Sequence, residues 1–161
     1  YKDGRELVTV AGHHATDLWD ELSNISTVAG YNSWETLNIQ SGIPILQKET
    51  SGSFVPQMLN LDYLDAISFT KGCYTGQEIV ARMHYRGKAK KRLYLLQVNA
   101  DSIPEKNMKI VLTDNKVIGE IISIATITKN QFQVQAIAKE SINQAITIEK
   151  LNKSEIKLIS S

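Results

Sequence analysis

The single cysteine of the chain lies in a segment that combines a reactive side chain, a helix start and concentrated positive charge. The sequence has 161 residues, and Cys73 stands in TKGCYTGQEIVARMHYRGKAKKR, residues 70–92. Thr75 and Glu78 have the T-x-x-E spacing of a capping box, which predicts a helix start at Thr75. A thiol just before a helix N-terminus meets the partial positive charge of exposed amides, and Lys71 adds a full charge. The pattern therefore predicts a thiol of enhanced reactivity.

A buried, inert cysteine is the alternative interpretation of the same residue. Cysteine is among the most buried residue types and often serves as a small hydrophobic side chain. Gly72 and Gly76 flank Cys73. Because glycine lets a ligand or another backbone approach closely, the two glycines favour the reactive interpretation. Spacing alone leaves both interpretations open.

The helix predicted after Thr75 carries apolar and basic residues in an ordered pattern. Its apolar residues share one side: Ile79, Val80 and Met83. Arg82 and Arg86 recur one turn apart, and Gly87 is a natural C-terminal stop. The segment is therefore expected to present arginines at a helix end.

Positive charge is concentrated in one short run, although the net charge of the chain is only +1. Residues 82–92 hold six Lys/Arg and no acidic residue, whereas residues 1–81 hold four basic and ten acidic residues. Such a run can bind phosphate or carboxylate groups, as on RNA or a polyanionic cofactor, with His84 and Tyr85 available for stacking. It can equally be a solvated helix end whose cations suit the helix C-terminus. No RNA-binding motif accompanies the run.

Composition restricts the remaining function classes. With 42% hydrophobic and 22% charged residues, the chain is predicted to be a soluble globular protein. Its apolar runs are short and its first residues have no signal-segment pattern, so we expect a cytoplasmic protein that does not enter a membrane. One cysteine and three histidines give no metal-site spacing. No Ser/His/Asp or phosphate-cradling motif is present, so intrinsic chemistry would centre on Cys73.

The first residues predict half of a hairpin. Asp3-Gly4 is typical of a hairpin turn, and residues 6–10 have the pattern of a strand after it. Because a hairpin needs two strands, we expect the chain to be the C-terminal piece of a longer protein. The missing part is then expected to contribute to the site.

Two helices are predicted before the cysteine segment. Thr16 is expected to cap the first and Ser33 the second, and Gly42 stands at the C-terminal position of the second. Both helices are expected to pack in the core, with Trp19 and Trp34 as core aromatics.

From Arg92 onward the pattern changes to short β-like runs with polar breaks. The six runs are LYLLQV, MKIVLTD, VIGEIISIATI, FQVQAIA, AITIEK and EIKLIS. In the fourth run, Phe132, Val134 and Ala136 alternate onto one side. Six short strands without an intervening helix predict a small barrel or sandwich. We therefore place a domain boundary near residues 87–89, with an α+β region before it and an all-β module after it.

Four stretches of the sequence resemble the YgfZ-type folate-binding proteins, relatives of the glycine-cleavage T protein that act in iron-sulfur cluster assembly or repair. The segment KGCYTGQE at residues 71–78 looks like the signature of that family. SGIP at 41–44, FVPQMLNLD at 54–62, ISFTKGCYTGQEIVAR at 67–82 and YRGKAKKRLYLL at 85–96 stand in the family's order. The resemblance is strong over most of residues 34–96.

The resemblance implies a fold and a set of site residues. The fold would be α+β, with the C-terminal part of a T-protein-like folate-binding region over residues 1–87 and a small C-terminal antiparallel β-barrel over residues 88–161. Cys73 and Lys71 would be the catalytic residues. The residues that bind tetrahydrofolate or a related folate would be Gly72, Tyr74, Gly76, Gln77, Glu78 and Arg82. No metal ligand is implied.

One position departs from the family pattern. Relatives usually carry a basic residue in the segment before GIP, where this chain has Asn38 in LNIQSGIP. A salt bridge from that position to a folate carboxylate would therefore be lost.

The function implied by the resemblance is a folate-binding accessory protein whose partners are iron-sulfur enzymes, including those that thiolate tRNA, or cluster-assembly proteins. The resemblance leaves open whether Cys73 contacts folate, a cluster or a partner thiol. The alternative is a tetrahydrofolate-dependent aminomethyltransferase like the T protein, which ranks second because T proteins do not usually have cysteine in this motif. A third hypothesis is an RNA-binding module, whose affinity would fall steeply with salt.

Overall fold

The second half of the chain forms one curled antiparallel sheet. The computed structural model describes residues 3–143, 145–151 and 154–160. The strands are β1 (Arg92–Asn99), β2 (Lys109–Leu112), β3 (Val117–Thr128), β4 (Gln131–Ala138), β5 (Ile146–Ile148) and β6 (Glu155–Ser160). They lie in the order β5-β2-β3-β4-β1-β6, which confirms the six predicted strands. The sheet is a half-barrel, because no ladder joins its edge strands β5 and β6 among the described residues.

One face of this sheet holds the main hydrophobic core. Central strand β4 pairs with β1 on one side and β3 on the other, so that Val134 lies opposite both Leu96 and Ile124. Phe132, Val134 and Ala136 are fully buried in this core, which confirms the predicted alternation. Burying an aliphatic side chain of this size contributes about 1.5–3 kcal/mol. The central strands therefore provide a rigid base for the rest of the chain.

The opposite face of the sheet is covered by a helix from the first half of the chain, α2 (Tyr31–Gln40). Ile39 at its end is fully buried in one cluster with Leu95 and Ala125. Its start is held by a pair of bonds, in which Asn32 Nδ2 donates to the carbonyl of Thr126 at 2.8 Å and the Thr126 amide donates to Asn32 Oδ1 at 3.0 Å. A helix on one face of an antiparallel sheet makes the fold α+β.

A 3-10 helix at Pro56–Leu59 covers the same face beside α2. Leu59 packs with Leu93, Ile122 and Ile137 in a separate buried cluster. Segments from before the predicted domain boundary thus pack on the sheet that follows it. The boundary near residues 87–89 stays a prediction.

The N-terminal segment differs from the sequence-based expectation. The predicted strand over residues 6–10 is wrong, because this stretch is irregular and pairs with no described strand. Helix α1 (Ala15–Ile25) has no buried residue, and Trp19 is 59% exposed rather than in the core. An amphipathic pattern marks an apolar side of a helix, but only a neighbouring surface can bury it.

The helix starts also differ from the predicted caps. Helix α1 begins one residue before Thr16 and α2 two residues before Ser33, so both residues lie inside first turns and neither helix has a side-chain cap bond. The N-cap of α2 is Gly30, whose extended backbone satisfies the requirement at that position without a side chain. Gly42 follows the end of α2 with φ +66°, a left-handed conformation that suits glycine.

A third helix, α3 (Gln77–Arg86), follows the cysteine and ends before Gly87, as predicted. Only Val80 of this helix is buried. The longest α-helix in the described part of the chain has 11 residues. That is roughly half the length of a helix that crosses a bilayer.

Arg92, the first residue of β1, joins the sheet to the segment that follows the 3-10 helix. Its Nη1 lies 2.6 and 2.9 Å from the two carboxylate oxygens of Asp62, and it donates to the carbonyl of Gln57 at 2.8 Å. The guanidinium also lies 4.4 Å from the ring centroid of Tyr63. A planar guanidinium can make a carboxylate pair and an aromatic stack together, which an ammonium cannot reproduce. Arg92 therefore fixes residues 57–63 against the start of the sheet.

Gly119 is the point of closest approach between β3 and β4. A Cβ at Gly119, which lies opposite Ala138, would come within 2.5 Å of the Ala138 Cβ and the Ile137 carbonyl oxygen. We expect Gly119→Ala to lower the free energy of unfolding by about 1–3 kcal/mol through overpacking, measured by urea denaturation. Gly87→Ala is the control, since the nearest atom there is 3.7 Å away. Equal denaturation midpoints for the two variants would contradict this packing.

The Arg92 contacts generate a second prediction. Arg92→Lys keeps the charge but loses the planar group that stacks on Tyr63, so we expect it to lower the free energy of unfolding by about 1–3 kcal/mol. Amide hydrogen exchange in residues 57–63 should rise in the same variant. Arg86→Lys on exposed α3 is the matched control and should change neither quantity. A variant at Arg92 that behaves like this control would show that the ion pair does not hold the segment.

Candidate functional site

Cys73 lies on an exposed loop between Ser68 and α3. The thiol is free and exposed, so the interpretation of Cys73 as a buried hydrophobic residue is wrong. Lys71, Gly72 and Tyr74 of the same loop are also exposed. A Cβ built at Gly72 would meet no atom within 4 Å, so the backbone beside the thiol is open to approach. The loop presents the cysteine rather than hiding it.

Side-chain contacts hold both ends of this loop. At its start, the ring of Phe69 stacks on His84 of α3 with centroids 3.8 Å apart and planes 16° from parallel. At its end, the Tyr74 amide donates to Gln77 Oε1 at 3.4 Å, and the Gln77 amide donates to the carbonyl of Tyr74 at 3.1 Å. Stacked aromatic pairs of this kind contribute about 0.5–1.5 kcal/mol. The cysteine is therefore exposed on a loop whose two ends are both attached to α3.

The predicted capping box is wrong. The N-cap of α3 is Gly76, with φ +88° and no side-chain cap bond, so Thr75 lies outside the helix. Gly76 adopts the left-handed conformation that glycine tolerates best, which turns the chain before the first helical residue. The side chain that reaches back is Gln77 rather than Glu78. Cys73 is consequently three residues before the N-cap, and its activation by the helix stays a prediction.

Helix α3 is fixed on one side and open on the other. Gln57 Nε2 donates to the carbonyl of Val80 at 2.7 Å, which ties the helix to the 3-10 segment. Its outer side forms a shallow groove of about 540 Å³ lined by Glu78, Ala81, Arg82, Tyr85 and Arg86. Arg82 and Glu78, two of the predicted folate-binding residues, thus share one surface. Arginines and an exposed tyrosine on one helix face are suited to an anionic partner.

The rest of the basic run surrounds a cavity of about 630 Å³ at the start of the sheet. Lining residues are Asn60, Tyr63, Lys88, Ala89, Lys90, Lys91, Arg92, Tyr94 and Glu140. Arg92 is engaged with Asp62, whereas Lys88, Lys90 and Lys91 make no ion pair within the described ranges. The lysines therefore give the cavity a net positive rim, and we call this space the cationic cavity.

Tyr94 lies between the cationic cavity and the interior. Burial raises the pKa of Tyr94, and the negative charge of Glu140 raises it further. The phenol is therefore neutral at physiological pH and can donate a hydrogen bond.

A second, smaller cavity of about 220 Å³ continues inward, and we call it the inner cavity. It shares Asn60, Tyr63 and Tyr94 with the cationic cavity. The end of α2 at residues 39–42 and Gln135 of β4 form its far wall. Together the two spaces fall within the roughly 300–1,000 Å³ that small-molecule sites occupy.

The predicted site residues do not line these two cavities. None of the eight appears in the wall of either cavity; the described lining residues come from other segments. The loop brings Lys71 to Gly76 together around the thiol, and α3 carries Gln77, Glu78 and Arg82. Sequence reasoning missed Asn60, Tyr63, Tyr94 and Gln135. Asn60 and Tyr63 stand in a stretch whose apolar spacing fits neither a helix nor a strand clearly. Gln135 lies between the inward-facing Val134 and Ala136, where the alternation of a strand predicts a solvent-facing residue.

Asn38, the departure from the family pattern, is buried rather than presented to a ligand. Only 2% of it is exposed, and Arg5 Nη1 donates to its Oδ1 at 2.8 Å. The Arg5 guanidinium stacks 4.4 Å from the Trp34 ring and pairs with Asp3. Hydrogen bonds from Arg5 and Ser41 hold the pKa of Asp3 well below its usual range. A guanidinium from elsewhere in the chain thus lies beside position 38.

Comparison with known proteins finds relatives that share one name. The chain is 37% identical over 140 residues to tRNA-modifying protein YgfZ of Serratia proteamaculans, covering 85% of the chain and 42% of that protein. It is 33% identical over 147 residues to the protein of that name from Pectobacterium atrosepticum, and this match covers 89% of the chain and 44% of that protein. It is 35% identical over 136 residues to the protein of that name from an Escherichia coli strain, and this match covers 83% of the chain and 42% of that protein.

The chain spans less than half the length of these curated relatives. No family model matches it. The identity of 33–37% nevertheless extends over about 85% of the chain. These similarities support membership of the YgfZ family for this chain.

Proposed function

We propose that this chain is part of a folate-binding accessory protein that supports iron-sulfur cluster assembly or repair and iron-sulfur-dependent tRNA modification, with Cys73 as its key thiol. The observation that carries the proposal is the exposed Cys73 on a loop held at both ends, in a chain similar to proteins named for tRNA modification. An exposed cysteine on an anchored loop is a poor choice for packing and a suitable one for chemistry.

The thiol acts toward a partner in this proposal. Iron-sulfur clusters are generally held by four ligands, mostly cysteines, and this chain has one cysteine. Because one thiol is a single ligand, Cys73 would meet a metal atom or thiol of that partner. Lys71 is exposed on the same loop, two residues from the thiol.

The folate part of the proposal rests on charge and shape. Folates carry carboxylates at one end, and the three lysines of the cationic cavity supply matching charge. Gly72 and Gly76 leave open space beside the thiol, Tyr74 precedes α3, and Gln77, Glu78 and Arg82 lie in the first two turns of the helix. In the proposed arrangement the carboxylate end lies at the lysines, and the loop residues contact folate from the side of α3.

The wider architecture is also a proposal. We infer that the half-barrel completes a small β-barrel, and that the region before residue 88 belongs to a T-protein-like folate-binding protein of the cytoplasm. The relatives extend well beyond the matched part, so a longer protein of this kind has room for the rest of such a region. The remainder of such a protein would supply further walls of the folate site.

The role of the thiol predicts the outcome of a rescue experiment. In a deletion strain complemented with the full-length protein, we expect Cys73→Ser to remain abundant but to lose most of its support of tRNA thiolation and iron-sulfur enzyme activity. Thr75→Ala is the matched control, because Thr75 lies on the same loop and makes no cap bond. Protein levels are measured in each strain.

Three results would redirect the proposal. Full rescue by Cys73→Ser would mean that the thiol is dispensable. Glycine-cleavage activity of the purified protein would favour the aminomethyltransferase instead. Salt-sensitive binding of tRNA alone, unaffected by folate, would favour the RNA-binding module.

The cationic cavity predicts a charge effect on folate binding. Reversal of Lys90 and Lys91 to Glu should weaken tetrahydrofolate binding by roughly 5- to 50-fold, with a smaller effect at high salt. Reversal of Lys116 and Lys129, which are exposed and line neither cavity, changes the net charge equally and is the control. Calorimetric titration of the three proteins measures the difference. Equal affinities in both double variants would place the carboxylates elsewhere.

A further inference from the structure

The outer face of α3 carries two arginines whose donors are unused within the described part of the chain. Arg82 and Arg86 are both exposed and lie one turn apart, so they share one side of the helix. Neither guanidinium makes a hydrogen bond or an ion pair with a described residue. Each has five N–H donors in a planar fork, a geometry that suits phosphate and carboxylate groups. This face therefore offers two cations to an anion from outside the chain.

An exposed aromatic ring lines the same groove as the two arginines. Tyr85 is 70% exposed, yet its ring contacts two other rings. The centroid of His84 lies 4.8 Å away at an interplanar angle of 79°, and that of Phe69 lies 6.4 Å away at 67°. These contacts restrain the tyrosine while most of it stays open to solvent. A restrained, exposed ring is a suitable platform on which a planar group can stack.

Positive charge continues from the groove to the end of the helix. A second shallow depression, of about 310 Å³, is lined by Ile79, Arg82, Met83, Arg86, Gly87 and Lys88. It shares both arginines with the groove and Lys88 with the cationic cavity. Glu78, the acidic residue in the wall of the groove, lies one turn before Arg82. The charge is therefore most positive toward Arg86 and Lys88.

Cations combined with an open aromatic ring fit unpaired nucleotides better than an acidic protein segment. Proteins bind single-stranded nucleic acid with basic side chains along the phosphates and aromatic side chains on which bases stack. Unpaired RNA bases stack on tyrosine rings and on guanidinium planes in the same way. An acidic protein segment would use the arginines, but it does not require an open ring beside them.

We propose that the outer face of α3 binds unpaired RNA nucleotides, with a base stacked on Tyr85 and phosphates at Arg86 and Lys88. The two rings that restrain the tyrosine also hold the start of the cysteine loop, so RNA on this face contacts the helix that positions the thiol. The inference rests on the tRNA part of the proposed function and adds direct contact between this chain and the RNA.

The test measures the RNA affinity of the full-length protein by fluorescence anisotropy. Its probes are a single-stranded oligoribonucleotide and an abasic chain of equal length, which keeps the phosphates but has no base to stack. We expect Tyr85→Leu to weaken binding of the oligoribonucleotide by roughly 5- to 50-fold and to leave the abasic chain unchanged. Tyr85→Phe is the matched control, because it keeps the ring, and should bind both probes as the unaltered protein does.

A second pair of variants tests the charge. Arg86→Gln should weaken binding of both probes by roughly 3- to 10-fold and reduce the salt dependence by about one phosphate contact. Lys129→Gln is the matched control, because Lys129 is exposed and lines neither the groove nor the depression. Circular dichroism checks that each variant is folded. If Tyr85→Leu is not folded, the Arg86 pair decides the test.

The outcomes separate this inference from the proposed function. Absence of RNA binding, or equal affinities for Tyr85→Leu and Tyr85→Phe, would overturn the RNA surface and leave the proposed function to the Cys73 rescue and the folate titration. RNA binding by a protein that binds no folate would keep the surface and favour the RNA-binding module. Binding of poly-glutamate that depends on Arg86, without binding of the oligoribonucleotide, would assign the face to an acidic protein partner and overturn the inference.

Discussion

The guanidinium group of Arg92 makes the contact on which the rest of the arrangement depends. It pairs with Asp62, bonds the carbonyl of Gln57 and stacks on Tyr63, so one side chain fixes the segment that forms a wall of both cavities. Gln57 connects this segment to α3, because its side-chain amide donates to the carbonyl of Val80. The sheet start, the cavity wall and the helix behind the cysteine loop are therefore mechanically connected.

This connection explains how one basic segment serves two surfaces. Arg82 and Arg86 point outward on α3, which is held by Val80, whereas Lys88, Lys90 and Lys91 follow the end of the helix and surround the cationic cavity. Arg92 has its charge neutralised and acts as the anchor between them. A helix can present its residues to solvent only on the side opposite its packed face. Because α3 ends before Gly87, the lysines that follow can face a different direction from Arg82 and Arg86.

The inner cavity also depends on the face of the sheet that α2 and the 3-10 helix cover. In an antiparallel sheet with one solvated face, a strand residue such as Gln135 would face water. Here α2 and the 3-10 helix cover that face, and Gln135 becomes 1% exposed while keeping only part of its hydrogen bonds. Polar groups enclosed in this way are costly unless paired.

The sequence by itself determined the elements that depend on local patterns. Alternation around Phe132 to Ala136 predicted a strand, and all six strands were found; glycine at position 87 predicted the end of α3, and charge counting found the basic run. Single-residue caps were less reliable: Thr75, Thr16 and Ser33 have capping side chains, but α2 and α3 begin after glycine N-caps and α1 begins after His14, which is already helical in backbone conformation. Only the tertiary structure decided that residues 6–10 form no strand, that Trp19 is exposed, which cations are engaged and which amide oxygens are left without a donor. The physical reason is range: helix and strand periods arise from neighbours in the chain, whereas burial, ion pairing and unpaired acceptors arise from segments brought together over 30 to almost 100 residues.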